Sequence, residues 1–382
     1  MNRTLRARHL VPAMAGAAAM AVTVAGGAAG AATKAHDAHA KKHKSHHAVK
    51  LTVPKPAGGT ISEAGSSLLY PLWKLWVPGY TAKYTNVKIQ AAAGGSGAGI
   101  TGATNGTLEV GASDAYLSTS DKQADPTLEN IPLAISAQEI FYNVPGVTAH
   151  LKLNGKVLAE MYTGKITKWN APAIASLNPG VTLPTLPVVT LHRSDGSGDT
   201  FLFTTYLSDS TKAWATKVGY NTSVTWPAAP GALAENGNSG MVAGCTTTPG
   251  CVAYIGISYQ TQALGDGLTY AQMKNGKGQY VMPTATTIQN EASGFTKKTP
   301  KTGAISMIDG KIKTGYPIIN YEYAIVSKKQ SSASQAKTVR SVLDWAINPK
   351  DGNSASYLAQ VGFRPLPLEI AESSFQEIQA IK

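Results

Sequence analysis

Cysteine is nearly absent from this chain: 382 residues contain two, Cys245 and Cys251. Their spacing is not C-x-x-C and no further cysteine exists, which removes the basis for a zinc cage or a redox-active pair. A close pair in an exported chain reads as one disulfide closing a small loop, with two free thiols as the alternative. Histidine is scarce as well. Beyond the N-terminal segment only His150 and His192 occur, and neither has metal-ligand spacing, so no metal or cofactor is expected. His192 reads as a strand residue rather than a catalytic base. No stretch matches the phosphate-loop pattern G-x-x-x-x-G-K-[ST], and Gly94 to Ala98 misses the nucleophile elbow G-x-S-x-G at its last position. After residue 31 no apolar run approaches the length of a transmembrane helix, and no internal repeat is found.

What is present begins with charge. The formal net charge is +12, but residues 1–50 hold eight Lys/Arg against the single acid Asp37, leaving +5 for the rest. With no basic motif interleaved with aromatics, nucleic acid is not an expected partner. Residues 1–31 have the layout of a secretory leader. Arg3, Arg6 and Arg8 lead into an Ala-rich apolar stretch from Leu10 to Val24, and Ala29-Gly30-Ala31 offers a small-x-small cleavage site. An N-terminal membrane anchor is the alternative. Residues 32–57 carry five histidines and almost no large apolar residue, so a disordered spacer is expected. Contact with anionic cell-wall polymers, or metal capture, are its other readings.

From Gly58 onward, strands alternate with helices, which argues an α/β architecture. Helices are expected from Leu68 to Trp76, after Gly95, from Asn154 to Tyr162, from Phe201 to Leu207, after Asn236, around Val339 to Ile347, and from Ile370 to Ile381. Strands are expected at 87–91, 109–114, 188–191, 252–255 and 318–326. Ile131 to Val144 reads as an extended run broken by Pro132, and Ser118 to Asp121 as a polar turn. The stretch that organises the rest is Leu191 to Phe201, a strand, a glycine-bearing turn and a helix start. The first N–H groups of a helix lack internal partners and carry partial positive charge, so such a junction suits an anion. Arg193 adds a planar, always-charged fork, and Asp195 is placed to hold it. Two further turns combine glycine with serine, Gly65-Ser66-Ser67 and Gly95-Ser96-Gly97. If the three converge with Arg193 and Asp114, they enclose an oxyanion at the carboxyl ends of the strands.

In family order over residues 60–370 stand Ala64-Gly65-Ser66-Ser67-Leu68, Gly95-Ser96-Gly97-Ala98-Gly99, Val110 to Ala115, Gly164 to Asn170, Arg193 to Gly198, Gly237-Asn238 and Tyr316 to Tyr321. On these motifs the chain resembles the substrate-binding protein of the bacterial phosphate ABC transporter. The cysteine loop resembles the actinobacterial branch. The resemblance implies a two-lobed, type II periplasmic-binding-protein-like fold with two hinge crossings, near Gln138 and Tyr321. Lobe 1 would be 58–138 plus 324–382, and lobe 2 would be 139–323. It implies inorganic phosphate in the cleft, delivered by a secreted or envelope-associated monomer to membrane permease subunits. Ser67 would give its hydroxyl and Leu68 its backbone N–H. Ser96 and Ser197 would give hydroxyls, Gly198 and Asp199 backbone N–H groups, and Arg193 its guanidinium, oriented by Asp195. Asp114 would accept a proton from the ligand. The chain departs from the family at Asp199, where Thr is common, because a carboxylate cannot donate a hydroxyl proton. It has Ser66-Ser67-Leu68 where Ala-Thr-Phe is usual. It also lacks the lipid-attachment cysteine of Gram-positive relatives. The rival readings are a secreted phosphatase using Ser96 or Ser197 as nucleophile, and a receptor for another oxyanion such as sulfate.

Overall fold

The computed structural model describes residues 50–382. The leader, and the His/Lys segment as far as residue 49, lie outside the described residues. Where that segment is described it belongs to the fold: Leu51 and Val53 pack against the core, and the Pro54 carbonyl accepts a hydrogen bond from Ser341 Oγ at 2.6 Å. The spacer therefore ends earlier than the expected residue 57, because two apolar side chains in its last stretch find a surface to cover.

Eight strands carry the main sheet: β1 Gly59–Gly65, β2 Val87–Ala93, β3 Val110–Ser113, β4 Leu128–Tyr142, β5 Val189–Arg193, β6 Leu233–Glu235, β7 Cys251–Gly256 and β8 Ile319–Ser327. Their spatial order is β2-β1-β3-β8-β4-β7-β5-β6, with the short strand Thr269–Tyr270 added on β4. The two ends mirror each other. β1 runs parallel to β2 and β3, and β5 runs parallel to β6 and β7. Between them β4 and β8 are antiparallel to their neighbours.

β4 is the strand that joins the ends. Its first part, Leu128 to Ala137, pairs with β8, and from Gln138 to Tyr142 it pairs with β7 instead. The expected crossing at Gln138 thus falls where the strand changes partner. The expected return near Tyr321 falls inside β8, whose pairing with β4 begins at Ile319. Pro132 does not break β4. The ladder slips between Glu322 and Tyr323, opposite Pro132, and such an irregularity tolerates a residue without an N–H. Likewise Ser118 to Asp121 is more than a turn: Ser118 and Asp121 form a capping box that opens the helix Thr119–Ala124.

The helices that matter for the site follow their strands directly: α1 Tyr70–Lys83, α2 Ser96–Thr104, α3 Gly198–Ser210 and α4 Gly237–Thr247. Pro71 sits in the first turn of α1, as expected, where its missing N–H has no partner to lose. Trp73, Trp76 and Tyr80 of α1 are buried, and Tyr80 meets Trp345 edge-on at 5.7 Å. At the other end Phe203 stacks on Tyr254 at 4.6 Å, beside Tyr162 and Trp226. Each large apolar side chain so buried contributes about 1.5–3 kcal/mol or more. Cys245 and Cys251 are disulfide-bonded, tying the last turn of α4 to the start of β7. No helix of the described residues is long and apolar enough to cross a membrane.

Candidate oxyanion site

The turns after β1, β2, β3 and β5 meet at one place. Gly97 N donates to Gly196 O at 2.9 Å, so the two Gly-Ser-Gly turns touch. Gly198 lies flat against the turn after β3: a Cβ there would come within 2.5 Å of Asp114 Oδ2 and 2.6 Å of Ser96 Oγ. Gly95 needs its glycine twice over, with a φ of +84° and the Asp195 carboxylate 2.3 Å from where a Cβ would stand. The sequence fits these contacts because each turn follows a parallel strand whose carboxyl end points into the same crevice.

Arg193 is the centre of charge, only 4% exposed. Its Nε donates to Asp195 Oδ1 at 2.7 Å, its Nη2 to Asp195 Oδ2, and its Nη1 to Asp199 Oδ2 at 3.0 Å. Its backbone N–H donates to Tyr254 Oη at 2.8 Å, which fixes the end of β5. Asp195 thus holds the Arg193 fork with two hydrogen bonds. Burial works against its charge, but the Arg193 bonds and the Gly237 N–H at 3.1 Å outweigh that and hold its carboxyl below the usual range.

Asp114 is 2% exposed. Its oxygens accept from Ser66 Oγ and, at 3.3 Å, from Ser96 Oγ, while its own N–H donates to Ser96 Oγ at 3.2 Å. Burial raises its pKa above the usual aspartate range, against the opposing pull of Glu322, Ser66, Arg193 and Ser96. The expected hydroxyls divide into two kinds. Ser67 Oγ accepts from Asn238 N at 3.1 Å and Asn238 Nδ2 at 3.0 Å, which leaves its O–H to give. Ser197 caps α3, accepting from Thr200 N at 3.3 Å, and its O–H too is left to give. Ser96 instead turns its O–H to Asp114. Leu68 is fully buried in the turn before α1, its carbonyl accepting from Ser258 Oγ at 2.8 Å.

Asp199 takes a role its position alone does not announce. It does not cap its helix through its side chain, since Ser197 does that. Its carboxylate accepts from Arg193 Nη1, from Asn238 Nδ2 at 2.6 Å and from Gln138 Nε2 at 3.2 Å. Burial and the charge of Asp114 push its pKa up to about 7, against the opposing pull of Arg193, Asn238 and Gln138. Gln138 also binds the Asp199 carbonyl at 2.6 Å, so the strand that changes partner grips the site where it does so.

Three residues of the site were missed in the sequence: Gln138, Asn238 as a side-chain donor, and Glu322. Glu322 had a signal, an acid in the middle of the apolar run Ile318 to Val326. His192 stacks on Trp226 at 4.8 Å, outside this cluster, as a strand residue does. Among the described residues no group of three or more His, Cys, Asp and Glu has the arrangement of a metal site. The chemistry on offer is a buried guanidinium, hydroxyls and carboxylate acceptors, which suits a small protonated oxyanion.

A sequence model described as a PBP superfamily domain matches residues 14–350. The chain is 33% identical over 322 residues to the phosphate-binding protein PstS of Pasteurella multocida, covering 84% of this chain and 89% of that one. It is 32% identical to the PstS of Methanocaldococcus jannaschii, covering 86% and 88%. It is 30% identical to the phosphate-binding protein PstS 2 of Mycobacterium tuberculosis, covering 85% and 86%. Among solved structures, it superposes on a periplasmic phosphate-binding protein, PfluDING, bound with phosphate, with a TM-score of 0.66 at 22% identity, covering 82% and 92%. A phosphate-binding protein from Stenotrophomonas maltophilia gives 0.63 at 18%, covering 84% and 94%. Those structures show the fold, the two-lobed type II binding-protein architecture. The chain belongs to the PBP superfamily and, within it, to the PstS family of phosphate-binding proteins.

Proposed function

We propose that this protein is an extracytoplasmic receptor for inorganic phosphate that hands its ligand to the permease of an ABC transporter. It acts as a monomer, exported by the leader at residues 1–31, with no nucleic-acid partner. Residues 58–138 with the C-terminal segment form one lobe, and the residues after Gln138, as far as the return into β8, form the other. Phosphate sits between them. Ser67 and Ser197 donate their hydroxyls, Ser96 its hydroxyl after turning from Asp114, and Leu68, Gly198 and Asp199 their N–H groups. Arg193 supplies the charge, held by Asp195.

The observation that carries this reading is the meeting of Arg193, Asp114 and three Gly/Ser turns in one buried place. A carboxylate there accepts a bond from a protonated oxyanion and repels an unprotonated one. Phosphate near neutral pH keeps a proton and sulfate does not, so Asp114 discriminates between them by leaving a buried charge unpaired when sulfate enters. Donors to a charged ligand contribute about 1.5–3 kcal/mol each, and several together exceed the roughly −8 kcal/mol of micromolar binding after ordering losses.

The phosphatase alternative is the weaker reading, since Ser197 caps its helix, Ser96 is paired with no histidine, and the relatives are named as binding proteins. Calorimetric titration of the mature protein decides the rest. Phosphate is expected to bind at micromolar affinity or tighter, with sulfate at least about a hundredfold weaker. Equal affinity for the two would refute the phosphate assignment in favour of a general oxyanion receptor.

A further inference from the structure

Glu322 stands in the middle of β8, fully buried, and serves none of the roles above. The ladder pairs Tyr323 with Ser113, so the next antiparallel pair sets Glu322 opposite Asp114, on one face of the sheet. The two carboxyls meet within hydrogen-bond reach. One Glu322 oxygen is well supplied: Oε1 accepts from Ser136 Oγ of β4 and from Asn320 Nδ2 at 3.1 Å. The other, Oε2, has no donor among the described residues. No salt bridge reaches Glu322 among the described residues.

Two carboxylates at this distance in a dry interior do not both ionise, and a proton between them belongs to whichever is less stabilised as an anion. The balance is one-sided. Asp114 has Ser66 and Ser96 on its oxygens and the field of Arg193. Glu322 has donors on one oxygen only, and burial together with the Asp114 charge holds its pKa well above the usual range. The other titratable groups around it are Tyr323, whose hydroxyl points away to Gly303 O, and Asp199, which faces Asp114 from the opposite end of the sheet.

We propose that Glu322 is a positioning residue that keeps its proton and donates it to Asp114 from behind, holding Asp114 as the acceptor that reads the ligand. This rests on the phosphate reading and sharpens it. A carboxylate has about four lone-pair positions. With Ser96 turned to the ligand, Ser66 and Glu322 take two of them from behind, which leaves the ligand-facing positions of Asp114 to accept a P–O–H. The pair thus keeps Asp114 an acceptor toward the ligand, because the Glu322 proton lowers the cost of its buried charge.

The test compares wild type, Glu322→Gln and Glu322→Leu by phosphate and sulfate calorimetry between about pH 5 and 9, with infrared spectra of the unliganded proteins. The glutamine N–H mimics the acid proton, so E322Q is expected to keep phosphate affinity within about threefold and the wild-type pH profile. E322L strips the donor, raises the pKa of Asp114, and is expected to lose at least about tenfold of the phosphate preference, more so toward acid pH. The spectrum of wild type at neutral pH is expected to contain a protonated-carboxyl C=O band that E322Q lacks. A tenfold or greater gain in sulfate affinity for E322Q, or the absence of that band, would show Glu322 to be ionised and overturn the proposal. Unchanged selectivity and profile in a folded E322L would overturn it equally. If wild type does not take up phosphate, the receptor reading fails, while the infrared band still decides whether Glu322 holds the proton.

Discussion

Gly95-Ser96-Gly97 and Gly196-Ser197-Gly198 share one string and one position, the turn from a parallel strand into a helix, yet their serines are used differently. The first lies beside Asp114, and Ser96 spends its hydroxyl on that carboxylate. The second follows Arg193, and Ser197 caps its helix with its hydroxyl proton unspent. On the proposed function, the β1–β3 end of the sheet, with Asp114 and Glu322, would read the protons on an oxyanion, and the β5–β7 end, with Arg193, its charge. A repeated string sets the backbone, and the neighbouring titratable residue sets the chemistry.

That division makes separable predictions. The largest effect is expected from the charge-reading end. Arg193→Ala removes a buried cation and leaves the Asp195 and Asp199 carboxylates without their partner, so phosphate affinity is expected to fall at least about tenfold, and toward a hundredfold. Calorimetry measures it directly, and a loss below that range would mean that the guanidinium is not a ligand contact. On the proton-reading end, Asp114→Asn is expected to act on discrimination more than on affinity. The amide can donate as well as accept, so sulfate gains while phosphate changes less, and the phosphate-to-sulfate ratio is expected to narrow by about tenfold or more. A ratio equal to wild type in a competition titration would place the proton-reading role elsewhere.

How much of this was legible in the sequence follows from the range of the forces involved. The strand-to-helix turns, the helix starts and the Arg193–Asp195 pair are local, set by glycine, serine caps and residues two apart, and all could be read from the chain. The convergence of the turns was a bet on sheet order, and the family motifs supplied it. Non-local pairings were not readable. Gln138 is distant in sequence from Asp199, which it grips, and Asn238 reaches Ser67 from 171 positions away. Pro132 was read by its usual effect on a strand, and the irregular ladder opposite it reversed that reading. Glu322 announced itself as an acid in an apolar run, but only the register with Ser113 shows what it faces.

The smallest expected effect, and the one that tests whether the two ends are independent, belongs to Asp199. It lies on the charge-reading end, yet the nearby Asp114 charge contributes to its raised pKa of about 7. Above that pH Asp199 is ionised, holds one arm of Arg193, and adds a second negative charge beside Asp114. An incoming anion must compete with it, so binding favours the protonated form and affinity falls as pH rises through 7. The limit is about tenfold per pH unit for one linked proton. The same sign applies to folding of the unliganded protein. The native state keeps this proton between the usual aspartate range near 4 and about 7, while the unfolded chain has lost it, so this group's contribution to stability declines across that window. Asp199→Thr removes the titration and supplies a hydroxyl. Phosphate's own titration is common to both proteins, so the difference between their binding profiles isolates the residue. The variant is expected to match wild type below about pH 6 and to bind a few-fold tighter above pH 7.5. Parallel profiles across the whole range would mean that Asp199 stays in one protonation state, and that the charge-reading end does not feel the proton-reading one.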